Sequence, residues 1–162
     1  MGNEIAVKVS IKPTWSIIKD IQDKTIAYMD SKNMPKGLTE STIMCITELI
    51  ENAIKYGTED SSNGNIEFDL HTRENFIEIT VKNGIRNKND INQLIDNITK
   101  IQNSDDHAKL YTDRLMELMD NPKPGVSQLG LYRIAYEGEF DIDYKYENNT
   151  LTIIARKNLE II

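Results

Sequence analysis

The chain has 162 residues, 39% of them hydrophobic and 28% charged, with a formal net charge of −7. A chain of this length is expected to form one domain burying roughly 68–70% of its unfolded surface, which excludes wholesale disorder. The acidic balance argues against nucleic-acid binding, no apolar run reaches the ~20 residues of a membrane span, and the single cysteine, Cys45, excludes an internal disulfide framework. The expectation is a cytoplasmic protein with no membrane contact.

Glu4 to Ile11 alternate in polarity and predict a strand. Pro13 and Thr14 open a helix from Trp15 to about Ser31, with Ile17, Ile18, Ile21, Thr25, Tyr28 and Met29 at helical spacing. Pro35 and Gly37 punctuate it, and Thr39 is the expected N-cap of a second helix, Glu40 to Tyr56, stopped by Gly57 as a C-terminal glycine. Two strands follow, Asn65–Thr72 and Phe76–Lys82, close enough for a hairpin, after which Asn83-Gly84 breaks the pattern.

Two polar helical stretches come next, Asp90 to about Gln102 and Asp105 to Met119, ended by Asn121-Pro122-Lys123-Pro124-Gly125. Ser127 is the expected N-cap of a short helix through Tyr136. Phe140–Glu147 and Thr150–Lys157 flank Asn148-Asn149, a pair suited to a tight hairpin turn. Helices packed on one face of a mixed, mostly antiparallel sheet are the natural layer solution, an α+β two-layer sandwich.

The stretch richest in chemistry is Thr47 to Gly57. On a helix Glu48 and Asn52 are four apart on one face, and Lys55 lies three beyond Asn52. That stripe offers a carboxylate for proton transfer, a carboxamide oxygen for Mg²⁺ and a cation for phosphate. The alternative is a solvated helix face with Glu51 and Lys55 as an ordinary i,i+4 pair.

The string Glu48-Leu49-Ile50-Glu51-Asn52-Ala53-Ile54-Lys55-Tyr56-Gly57 resembles the N-box of the GHKL ATPases, the superfamily of gyrase, the histidine kinases and the anti-sigma kinases. The resemblance implies the two-layer GHKL (Bergerat) ATP-binding fold over residues 1–162, with ATP and Mg²⁺ as cofactors. It makes Glu48 the catalytic base and Asn52 the Mg²⁺ ligand, with Lys55 and Tyr56 beside the nucleotide. The family's first glycine box supplies an Asp to adenine. Here that region reads Val81-Lys82-Asn83-Gly84-Ile85, so the resemblance implies that Asn83 and Gly84 would approach the base, through an amide and not a carboxylate.

The second glycine box corresponds to Pro124 through Leu131. Gly125, Ser127, Gln128, Leu129 and Gly130 would line the phosphates, with Gln128 in place of the central glycine. The stretch between the boxes, about 84–126, would be the lid. The order also looks like the RsbW-like anti-sigma kinases and, more closely, the SiaB-like kinases, which share a Leu-Tyr pair (Leu110-Tyr111), a Leu-Gly-Leu box and an Ile-Ala sequence (Ile134-Ala135). That resemblance implies a Ser/Thr kinase of the partner-switching type, acting on a small STAS-like or SiaC-like regulatory protein in bacterial signalling, with a homodimer as one assembly. A degenerate module that sequesters a regulator without catalysis is the alternative. His71 and His107 lack a second ligand at metal spacing and read as surface or packing residues.

Overall fold

In the computed structural model, the described residues are 4–11, 16–57, 66–121 and 129–159. The chain order is β1 (Glu4–Ile11), α1 (Ile17–Ser31), α2 (Lys36–Tyr56), β2 (Ile66–Thr72), β3 (Phe76–Gly84), α3 (Lys88–Gln102), α4 (His107–Asp120), α5 (Leu129–Tyr136), β4 (Asp141–Glu147) and β5 (Thr150–Asn158). The strands form one sheet in the order β1-β2-β3-β5-β4, and all four pairings are antiparallel. This is the expected two-layer α+β sandwich. Two hairpins, β2–β3 and β4–β5, supply most of the sheet, and the β1–β2 and β3–β5 pairings join strands distant in sequence.

Alternation explains the layers. Ile66, Phe68 and Leu70 of β2, Ile77, Ile79 and Val81 of β3, and Leu151, Ile153 and Ala155 of β5 are buried on the sheet's helical side. Against them pack Ile21 and Met29 of α1, Ile46, Leu49 and Ile50 of α2, Leu94 and Ile98 of α3, and Leu131 and Ile134 of α5. The opposite face carries polar cross-strand neighbours such as Glu67 and Lys82, 3.9 Å apart. There Phe76 is roofed by the Arg156 guanidinium, 3.8 Å above its ring. Asn148 and Asn149 both have positive φ, 51° and 60°, in keeping with the tight turn read from that pair.

Several boundaries differ from the sequence reading. α2 begins at Lys36, not after Thr39: Pro35 is the N-cap with ψ 143°, and Thr39 Oγ1 donates to its carbonyl at 3.4 Å. A proline in that place loses only an N–H that no helical carbonyl would have accepted, so it starts the helix and does not merely end its predecessor. β3 continues through Asn83 and Gly84, which pair with Leu151 and Thr150, so the expected break falls after Gly84. α3 starts at Lys88 because the Asn87 side chain accepts from Asn89 N at 2.9 Å and Asp90 N at 3.2 Å. α4 starts at His107 behind an Asp106 cap that accepts from Lys109 N at 3.0 Å. Trp15 and the Ser127 cap lie outside the described residues. Among the described residues no helix is long and apolar enough to cross a membrane.

Candidate functional site

α2 positions the site because its buried face fixes its rotation. Cys45, Ile46, Leu49, Ile50 and Ala53 point into the core, which leaves Glu48 and Asn52 half-buried along one flank. Lys55 stands further round: it is exposed, with Nζ 5.8 Å from the ring centroid of buried Tyr56. The flank from Glu48 to Gly57 runs roughly 13 Å at the usual helical rise.

At its first end the flank meets α5. Arg133 Nη1 donates to Glu48 Oε1 at 3.3 Å, and Arg133 Nε donates to Glu137 Oε2 at 2.7 Å. The side chain of Glu48 is 20% exposed. Gly130, one turn before Arg133, lies directly against the carboxylate. A Cβ built on Gly130 would fall on Glu48 Oε2 and stand 3.0 Å from its carboxyl carbon. The missing side chain is what lets α5 approach so closely. Burial pushes the Glu48 carboxyl above the usual carboxylate range, with Glu51 and Glu137 adding to the rise and Arg133 opposing it. Burial and the neighbouring Glu48 both push the Cys45 thiol up, leaving it a protonated core residue.

At the other end the flank meets the end of β3. Asn83 is buried, its Nδ2 donating to Ala53 O at 3.5 Å and to Gly84 O at 3.4 Å. Gly57 closes α2, its N–H bonded to Ala53 O at 2.9 Å. It does so with φ −68° and ψ 151°, so it is not the left-handed C-terminal glycine the sequence suggested. Space selects glycine here: a Cβ would collide with Ala53 O and stand 3.4 Å from Asn83 Nδ2.

Between the two ends, Asn52 Nδ2 is buried and has no hydrogen-bond partner among the described residues. A buried amide without a partner costs roughly 1–3 kcal/mol, and a 180° turn of the carboxamide presents its oxygen at the same place. Among the described residues no group of three or more His, Cys, Asp or Glu could hold a metal ion, so Asn52 would share any cation with groups from outside that set. His107 is turned inward, with Nε2 3.1 Å from Ile101 O.

The structure therefore gathers Glu48 with Gly130, and Asn83 with Ala53 and Gly57, along one helix flank. Leu129 is half-buried at the start of α5, and Gly84 pairs in the sheet opposite Thr150. Gly125, Ser127 and Gln128 lie outside the described residues. Sequence reasoning missed Arg133 and Glu137. Their i,i+4 spacing was readable as a local ion pair, but the contact with Glu48 spans 85 positions and has no local signature. A shallow groove of about 360 Å³ between α1, α2 and α5 leads to this point, lined by Ile26, Ile43, Met44, Thr47, Glu48 and Arg133.

No family model matches this sequence, and no curated protein matches it. Among solved structures, the fold is shared with a chain of the crystal structure of the SiaB–SiaC complex from Pseudomonas aeruginosa. The TM-score is 0.67 at 16% identity, over 96% of this chain and 91% of that one.

Proposed function

We propose that this protein is a partner-switching regulator that transfers the γ-phosphate of ATP to a serine or threonine of a small regulatory protein. The observation that carries this reading is the Asn52 amide, buried without a partner among the described residues one turn beyond the half-buried Glu48. An orphaned carboxamide fits a ligand that completes it from outside, and a hard cation needs only such an oxygen when phosphates and water fill the rest. The fold shared with a chain of the SiaB–SiaC complex agrees with a protein partner.

In this mechanism Asn52 would hold Mg²⁺ beside the ATP phosphates, and a bound Mg²⁺ would supply neutralisation of the charge that builds on the γ-phosphoryl group. Glu48 takes the proton of the acceptor hydroxyl as that oxygen bonds to phosphorus and the β,γ-bridging oxygen leaves with ADP. Lys55, exposed just beyond Asn52, reaches for phosphate. Leu129 and Gly130 place the start of α5 beside the transferring group, and Asn83 and Gly84 approach adenine. Within the segment from 84 to 126, α4 serves as the lid, since α3 packs Leu94 and Ile98 into the core.

The second reading, a module that sequesters its partner without catalysis, is favoured by Asn83, whose amide replaces a carboxylate and is engaged with Ala53 and Gly84. Calorimetry with ATP, with and without Mg²⁺, decides between them. The kinase reading expects Mg²⁺-dependent heat, lost in Asn52→Ala. Glu48→Ala should bind ATP normally while phosphotransfer falls roughly 10²–10⁴-fold. Absence of heat at millimolar ATP and Mg²⁺ rejects the kinase and leaves the sequestering module.

A further inference from the structure

We propose that Arg133 is a positioning residue for Glu48, a clamp shared with Glu137 that fixes the direction of the Glu48 carboxylate and keeps it charged. The proposal deepens the reading above, since it concerns how the base of that site is set.

The geometry is a guanidinium divided between two carboxylates. The shorter bond, 2.7 Å from Nε, goes to Glu137, the residue that follows α5, while the longer one, 3.3 Å from Nη1, crosses to Glu48 on α2. The i,i+4 bond travels with α5 as a body, so the tertiary bond to Glu48 is the one that changes when α5 shifts against α2. Gly130 lies against the other carboxylate oxygen, Oε2, so Glu48 meets both the close backbone and the cation of α5. A base held this way keeps one lone pair direction, and a misplacement of about 1 Å can cost on the order of a hundredfold in rate.

The charges around Glu48 show why a cation is needed. From α2 come Glu51 and the protonated Cys45; from α5 and the residue just after it come Arg133 and Glu137; from α1, Ile26 and the Gln22 amide, bonded to Thr47 Oγ1 at 2.8 Å, add no charge. Burial, Glu51 and Glu137 all disfavour the carboxylate, and Arg133 favours it. Glu137 therefore acts twice against the charge on Glu48, by its own field and by drawing on the same guanidinium. Arg133 lines the groove between α1, α2 and α5, where an approaching chain can reach it.

The test is a carbon-13 NMR titration of the Glu48 carboxyl in wild type, Arg133→Gln and Glu137→Gln, beside the pH profile of phosphotransfer. Arg133→Gln is expected to move the Glu48 midpoint to higher pH, shift the acid limb of the profile the same way, and slow phosphotransfer roughly ten- to a hundredfold at neutral pH with ATP affinity unchanged. Glu137→Gln is expected to move the midpoint to lower pH. Opposite movements are the signature, because a merely structural role gives no such pair of signs. The clamp is overturned if the midpoint stays put in Arg133→Gln, or if both variants move it the same way. The titration needs neither nucleotide nor partner, so it judges the clamp separately from the kinase reading.

Discussion

Helices α2 and α4 look alike as sequence, each mixing charges with a sparse apolar face, yet they are held in opposite ways. α2 buries Thr42, Cys45, Ile46, Leu49, Ile50, Ala53 and Tyr56. α4 buries no residue at all, and Leu115, Met116 and Met119 stand exposed along it. Its polar bonds are largely local, as in Lys109–Asp113 at 2.8 Å and Arg114–Glu117 at 3.2 Å, and its tie to α5 includes Tyr111 against Tyr136 with ring centroids 5.5 Å apart. The difference teaches where chemistry can sit. A base or ligand must be held to within a fraction of an ångström, and α2 is enclosed closely enough by sheet and α5 to do that. α4 touches the core only through the partly buried Leu110 and Tyr111, so a shift of this helix disturbs far less packing than a shift of α2 would.

The largest test of the contrast is a pair of truncations. Leu49→Ala removes a side chain 1% exposed in the core and is expected to destabilise by about 2–5 kcal/mol. Met116→Ala removes one that is 57% exposed and should stay within about 0.5 kcal/mol. Urea unfolding of both variants measures this directly, and equal losses would erase the distinction between the helices.

A smaller effect is expected where α2 ends against β3. In Gly57→Ala the new Cβ would meet the Ala53 carbonyl, a backbone atom that cannot swing aside. The extended φ of −68° is ordinary for alanine, so the whole penalty is steric, roughly 1–3 kcal/mol for an overpacked contact. The same unfolding assay reads it. A neutral result would mean that this end of α2 yields as easily as α4 does.

These substitutions also mark what the sequence could disclose. The strands were legible because alternation follows from the pleat, and both hairpins were bounded by short polar links. The β1–β2 and β3–β5 pairings have no such local sign, since each joins strands distant in sequence. Glu48 and Asn52 were legible as a stripe since 3.6 residues per turn places them together. The start of α2 was misread because Pro35 and Gly37 both discourage helix in its interior but tolerate its first turn. Gly57 was found for the wrong reason, since its constraint is a neighbouring carbonyl and not a left-handed backbone. Arg133 escaped notice altogether: pairing across two helices distant in sequence is created by the core that packs them.

The smallest expected effect lies at the other end of α2, and it separates propensity from packing. Gly37 sits in the first turn, is exposed, and a Cβ built on it meets nothing within 4 Å. Its φ lies outside the left-handed range, so alanine can take the same backbone without strain. Gly37→Ala should therefore stabilise by about 0.4–1 kcal/mol, mainly by removing freedom from the unfolded chain. For a domain of this size that corresponds to a rise of roughly 1–4 °C in Tm, readable by a thermal melt followed by circular dichroism. Together with Gly57→Ala it sets two glycines of one helix in opposite directions, by a rule that uses only what surrounds each Cβ. A loss of stability at Gly37 would show that the first turn is gripped as firmly as the last, and that the enclosure of α2 extends over its whole length.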